Sequence, residues 1–165
     1  MSNKIYPIGI QNFEKIRKGG YCYIDKTAWI YQMVKTGSYY FLSRPRRFGK
    51  SLLLSTLEAY FQGKKKLFEG LAIEKLEKDW FKYPILHIDL NTEKYDTPER
   101  LENKLNRTLV EWEKIYGAES AETSLAMRFE GIIQRACEKE GQSVVILVDE
   151  YDKPMLQAIG NDELQ

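Results

Sequence analysis

The chain has 165 residues, 43% hydrophobic and 30% charged, the balance of a folded domain rather than a disordered polymer. With 25 basic and 24 acidic residues the formal net charge is +1, which excludes a strong global field toward nucleic acid or membrane. No apolar run of about 18 residues offers a membrane-spanning helix, and Met1-Ser2-Asn3-Lys4 leads into no unbroken apolar stretch. The expectation is a cytoplasmic protein with no membrane partner.

The length suits one domain, large enough to bury a core without disulfides. Cys22 and Cys137 show no CxxC spacing and no histidine beside them, so they read as reduced thiols. Along the chain, residues 10–18 read as a short helix stopped by Gly19-Gly20. Asp25 is a candidate N-cap for a helix over 26–35, whose Trp29, Ile30 and Met33 share a face. Tyr39 to Leu42 is short and aromatic, the composition of a buried strand. The helix over 50–62 carries Leu53, Leu57, Tyr60 and Phe61 as a core-facing stripe. A short helix is expected near 74–79, a strand over 85–90, and helices near 97–116 and 121–140. Val144 to Val148 is mostly β-branched and suits a parallel strand covered on both faces. Strand, helix, strand, helix, strand is the order of an α/β domain with a parallel sheet.

Gly49-Lys50-Ser51, between the expected strand 39–42 and an apolar helix, has the ending of the phosphate loop G-x-x-x-x-G-K-[ST]. In such loops backbone N–H groups and the positive helix start surround the phosphates. The lysine reaches the outer phosphates and the hydroxyl binds magnesium. Arg46, Arg47, Phe48, Gly49, Lys50, Ser51 and Leu52 are therefore the candidate nucleotide-binding residues, with Lys50 also a candidate catalytic cation. Arg44 stands where the first glycine is wanted, and Pro45 removes one backbone donor. Arg46 and Arg47 suit phosphate neutralisation, an arginine finger for a neighbouring subunit, or plain solvent exposure.

The strand 144–148 runs into Asp149-Glu150, a Walker B arrangement. An aspartate there holds Mg²⁺, making Asp149 and Ser51 the candidate metal ligands. A glutamate immediately after it orients the attacking water and takes its proton, so Glu150 is the candidate catalytic base. Weaker signals are Asp25-Lys26-Thr27, a nucleotide contact or a helix cap, and Lys64-Lys65-Lys66, a solvated turn or a nucleic-acid contact. His87 reads as a packed or surface residue opposite the Leu86, Ile88 and Leu90 face.

Four blocks together are specific: Tyr23-Ile24-Asp25-Lys26-Thr27, then Phe41 through Leu52 with the loop Arg44-Pro45-Arg46-Arg47-Phe48-Gly49-Lys50-Ser51, then Leu67-Phe68-Glu69-Gly70-Leu71, and finally Asp149-Glu150-Tyr151-Asp152-Lys153-Pro154. The chain thereby resembles the AAA-ATPase-like family of bacterial and archaeal proteins, whose variant loop includes the arginine at position 44. The resemblance implies ATP at Gly49, Lys50 and Ser51, with Asp149 and Glu150 as magnesium and water-activating carboxylates. Members often carry a C-terminal nuclease-like domain of the PD-(D/E)XK type, and no nuclease chemistry follows for these residues.

The reading is thus an α/β P-loop NTPase-like core, a parallel sheet flanked by helices, binding ATP and Mg²⁺ and hydrolysing ATP slowly to drive or gate a conformational change. Two alternatives stand beside it: a switch or scaffold that binds ATP without turnover, and the regulatory ATPase part of a nucleic-acid-processing protein. In P-loop folds with a catalytic glutamate, a later strand lies between the phosphate-loop strand and the Asp-Glu strand. Met155 to Gln165 contains no strand-like run. Residues 1–165 are therefore expected to be the N-terminal portion of an incomplete AAA-type core, prone to self-association through an open strand edge.

Overall fold

Asn12 opens the first helix by accepting the Lys15 amide on its side-chain carbonyl at 2.9 Å, supplying a partner that a helix start otherwise lacks. In the computed structural model, which describes residues 5–43 and 48–158, this helix (α1, Phe13–Lys18) belongs to the first of two compact units. One unit runs to Lys82 and the other starts at Tyr83. The first also holds α2 (Thr27–Thr36), α3 (Lys50–Phe61), a 3-10 turn (Lys65–Phe68) and α4 (Ala72–Leu76). The second holds β1 (Ile85–Asp89), α5 (Pro98–Tyr116), α6 (Leu125–Glu140), β2 (Val145–Asp149) and α7 (Lys153–Ala158). Among the described residues no helix is long and apolar enough to cross a membrane.

The first unit packs around aromatic rings. Phe13 and Phe68 are fully buried, their ring centroids 4.9 Å apart, and Tyr23 meets Phe13 edge-on at 5.1 Å. From the expected stripe on α3, Leu57 and Tyr60 are buried while Leu53 and Phe61 are half-buried. The Phe13 amide donates to Ser55 Oγ at 2.9 Å, fastening α1 to α3.

Two carboxylates tie α2 to the α4 region. Asp25 Oδ1 accepts from the Thr27 amide at 2.8 Å and the Thr27 hydroxyl at 2.6 Å. Its Oδ2 accepts from the Ala72 amide at 2.7 Å. The buried Thr27 Oγ1 in turn accepts from the Ile73 amide at 3.1 Å. The helix starts one residue later than expected, with Lys26 at the N-cap, so Asp25 stands one place outside it; there it accepts the first helical amide and serves as a tether across 47 residues of sequence. Glu77 is the second carboxylate. It accepts from the Tyr60 hydroxyl, from Lys35 Nζ at 2.9 Å and from the Lys78 and Asp79 amides. Burial pushes its pKa up, but these donors together hold it below the ordinary carboxylate value.

Arg17, near the end of α1, donates to the carbonyls of Leu67 at 2.7 Å and Glu69 at 2.5 Å. Gly70 follows with φ of 76°, a backbone conformation that favours glycine, and its amide meets Glu74 Oε2 at 2.8 Å. Blocks 23–27 and 67–71 therefore have a structural job, locking α1, α2 and α4 together. In the basic run, Lys64 is ion-paired with Glu14 at 2.6 Å. Lys18 and then Lys64 bring the Glu14 pKa down to about 2.

Residues 39–43 form no strand, which corrects the expectation for 39–42. The aromatic residues are used locally instead. The Tyr40 hydroxyl donates to the Met33 carbonyl at 2.5 Å, folding the segment back over the end of α2. A Cβ on Gly37 would meet that hydroxyl at 2.7 Å. Tyr39 and Phe41 are 96% and 74% exposed, so no burial draws them into a ladder.

In the second unit β1 and β2 pair in parallel, Ile85 opposite Val145 through Asp89 opposite Asp149. A parallel pair needs a crossover connection, and α5 and α6 provide it. The expected α/β character is therefore present as helices with a two-stranded parallel sheet among the described residues. Leu86, Leu109, Trp112 and Ile132 form its buried core. Arg128 grips Glu113 across α5 and α6 at 2.6 and 2.9 Å, and Arg135 grips Glu122 at 2.5 and 3.1 Å. Gly131 sits mid-helix because the Glu122 carboxylate occupies the space a Cβ there would take. His87 lies mid-strand and half-buried, opposite the Leu86 and Ile88 face as expected.

Candidate functional site

The start of α3 carries the phosphate-loop residues. Arg46 and Arg47 lie outside the described residues; Phe48 is 64% exposed. Gly49 is the residue before the helix, at φ 80° and ψ 22°, and no side chain caps this end. A side chain at Gly49 would meet nothing within 4 Å, so the left-handed backbone and not crowding calls for glycine. The first helical bond is from the Leu53 amide to the Gly49 carbonyl at 3.0 Å. The amides of Lys50, Ser51 and Leu52 therefore precede any intrahelical acceptor. No acidic residue stands in this first turn. The Lys50 ammonium has no hydrogen-bond or ion-pair partner among the described residues. A 12-residue helix whose first turn has bare amides, no carboxylate and a cation without a partner among the described residues is chemically suited to an anion.

Asp149 and Glu150 belong to the second unit. Asp149 is the last residue of β2, one place later than the sequence suggests, and its Oδ1 accepts the Glu150 amide at 2.9 Å. Glu150 has φ of 53°, the only positive value at a non-glycine residue among those described. For such a residue the left-handed region costs roughly 1–2 kcal/mol. Strain of this kind at a strand end directs attention to the side chain it aims. The Glu150 carboxylate itself has no protein partner among the described residues.

The register adds residues that the sequence reading left aside. Asp89 sits opposite Asp149, so the two carboxylates leave the same face at the same end of the sheet. Asp89 Oδ1 accepts the Asn91 amide at 2.7 Å. The buried Tyr95 is close enough that its pKa is raised, first by burial and then by the Asp89 charge. An acidic residue at the C-terminal end of the other parallel strand was the available signal for Asp89.

Among the described residues no group of three or more histidine, cysteine or acidic side chains could hold a metal alone. One or two carboxylates with phosphate oxygens and water completing the shell is the manner of Mg²⁺ rather than of a caged ion. Asp149 and the Ser51 hydroxyl are hard oxygen donors of that kind. Asp25, weighed as a nucleotide contact, has both oxygens engaged by Thr27 and Ala72 and serves the fold.

Comparison with known proteins adds the lineage. The chain is 42% identical over 166 residues to an Azotobacter chroococcum mcd 1 protein described as "Uncharacterized protein in vnfD 5'region". That alignment takes in 99% of this chain and 32% of the relative, so the chain spans about a third of the length of the relative it matches. No solved structure matches. Residues 7–165 match the family described as "Predicted AAA-ATPase". The chain belongs to the AAA-ATPase-like family.

Proposed function

We propose that the chain binds ATP together with Mg²⁺ at a P-loop and hydrolyses it slowly. The observation that carries this reading is the start of α3. In a member of this family, left-handed Gly49 is followed by three amides with no intrahelical acceptor and a Lys50 with no partner among the described residues. Arg46, Arg47 and Phe48 complete the loop that receives the phosphates. The magnesium ion neutralises charge on the phosphate oxygens when bound, with Ser51 and Asp149 as its protein ligands.

The remaining chemistry falls to the chain's own groups. The amides of Lys50, Ser51 and Leu52 hold phosphate oxygens, and the Lys50 ammonium offsets the charge that builds on them in the transition state. Glu150 orients a water and takes its proton as the water oxygen bonds to the γ-phosphorus. The bond from that phosphorus to the β–γ bridging oxygen breaks, leaving ADP and phosphate. The hydrolysis drives or gates a conformational change.

Two substitutions separate binding from chemistry. Glu150→Gln is expected to keep ATP-dependent thermal stabilisation and lose phosphate release by on the order of 100-fold, because an amide orients water without accepting its proton. Asp149→Ala is expected to lose only the Mg²⁺-dependent part of the stabilisation. Equal loss of binding in both variants, or no effect in either, would mark 149–150 as a structural turn.

A further inference from the structure

The turn after β2 holds Glu150 in an unfavourable conformation, and something must keep it there. Lys153 ties it to the end of β1. Its backbone amide donates to the Glu150 carbonyl at 3.0 Å. Its ammonium donates to the Asn91 carbonyl, with the Asn91 side-chain oxygen at 3.4 Å. Asn91 is itself fixed by Asp89, whose Oδ1 accepts the Asn91 amide. A continuous series of bonds therefore runs from Asp89, through Asn91 and Lys153, to the backbone of Glu150, joining positions 62 residues apart in sequence.

The charge pattern makes this use of a lysine informative. Asp149, Glu150 and Asp152 lie within four residues of it, and Asp89 lies two residues from its partner Asn91. Yet among the described residues the ammonium binds a carbonyl and forms no ion pair with any of the four. A lysine placed to neutralise carboxylates would be spent on them. This one braces two turns and leaves the Glu150 carboxylate free.

We propose that Lys153 is a positioning residue, which holds Glu150 for water activation by bridging the turn after β2 to Asn91 at the end of β1. This rests on the reading of Glu150 as the base. The test compares wild type, Lys153→Met, Lys153→Arg and Glu150→Gln in the full chain. Backbone amide exchange at residues 150–152 is measured without nucleotide, and ATP-dependent thermal stabilisation and phosphate release with it.

Lys153→Met is expected to speed exchange at those amides and to lower kcat on the order of 10- to 100-fold with KM unchanged. Lys153→Arg, which keeps a donor at similar reach, is expected to restore most of both. Unchanged exchange in the methionine variant overturns the brace. Loss of ATP stabilisation together with kcat overturns it too, since Lys153 would then be a nucleotide contact. A wild type that ATP does not stabilise, or a Glu150→Gln variant that releases phosphate normally, defeats the functional reading instead. The exchange comparison then decides the brace alone.

Discussion

Lys50→Ala is expected to abolish stabilisation by ATP while leaving the ligand-free protein as stable as wild type. The lysine opens α3, its ammonium has no partner among the described residues, and alanine is the better helix former. No contact among the described residues depends on it. The bound state does, because the ammonium is the single side-chain cation of the described loop residues. At ATP near 100 times its dissociation constant, binding stabilises the folded state by about 2.7 kcal/mol. Thermal denaturation with and without nucleotide reads that difference directly, and it should vanish in the variant. A wild-type shift in the alanine protein would remove Lys50 from the site.

Asp25→Ala is expected to do the opposite, weakening the fold and sparing the ligand response. The substitution removes the acceptor of the Thr27 amide and hydroxyl, and with Oδ2 the tether to Ala72. Leaving these donors without their acceptor costs about 2 kcal/mol, a fall of roughly 5 °C in melting temperature for a chain of this size. Asp25→Asn keeps an oxygen for Thr27 and has no second acceptor for Ala72, so it should fall between the two.

The effect should also depend on pH. Burial alone would raise the Asp25 pKa, but the Thr27 hydroxyl and the Thr27 and Ala72 amides outweigh it and hold the value below the ordinary one. A depressed folded value means the contribution is fully present above the unfolded pKa of about 4. It is lost as pH falls through the folded value. The gap between wild type and Asp25→Ala should thus be constant near neutrality and close in acid. A gap that widens in acid would contradict the assignment, and so would loss of ATP stabilisation in the alanine variant.

These two residues show what the sequence could disclose. Gly49-Lys50-Ser51 was legible because its signal is local: a left-handed glycine, a cation and a helix start lie within three positions. The helices through α6 were legible for the same reason, whereas α7 was not expected. The apolar spacing of α3 put Leu57 and Tyr60 inside, and Pro98 and Gly141 mark the start of α5 and the end of α6. Asp25 was legible only in half. Its cap to Thr27 spans two residues, whereas its bond to Ala72 depends on a partner 47 residues away.

Aromatic composition misled at 39–42, because it measures fitness for a half-buried pleated surface and not whether such a surface is present. Tyr40 found its partner on α2 instead. Asp89 and Lys153 gained their meaning from strand register and from a contact across 62 residues, which no local pattern contains.

In the proposed complex, ATP phosphates sit on the bare amides at the start of α3. Amide hydrogen exchange across residues 48–53, with and without Mg²⁺ and ATP, tests it most directly. The Lys50, Ser51 and Leu52 amides have no intrahelical acceptor and should exchange fast in the free protein. Marked slowing of these three is expected on adding ATP, and none in Lys50→Ala. Binding of ATP that leaves their exchange unchanged would contradict it.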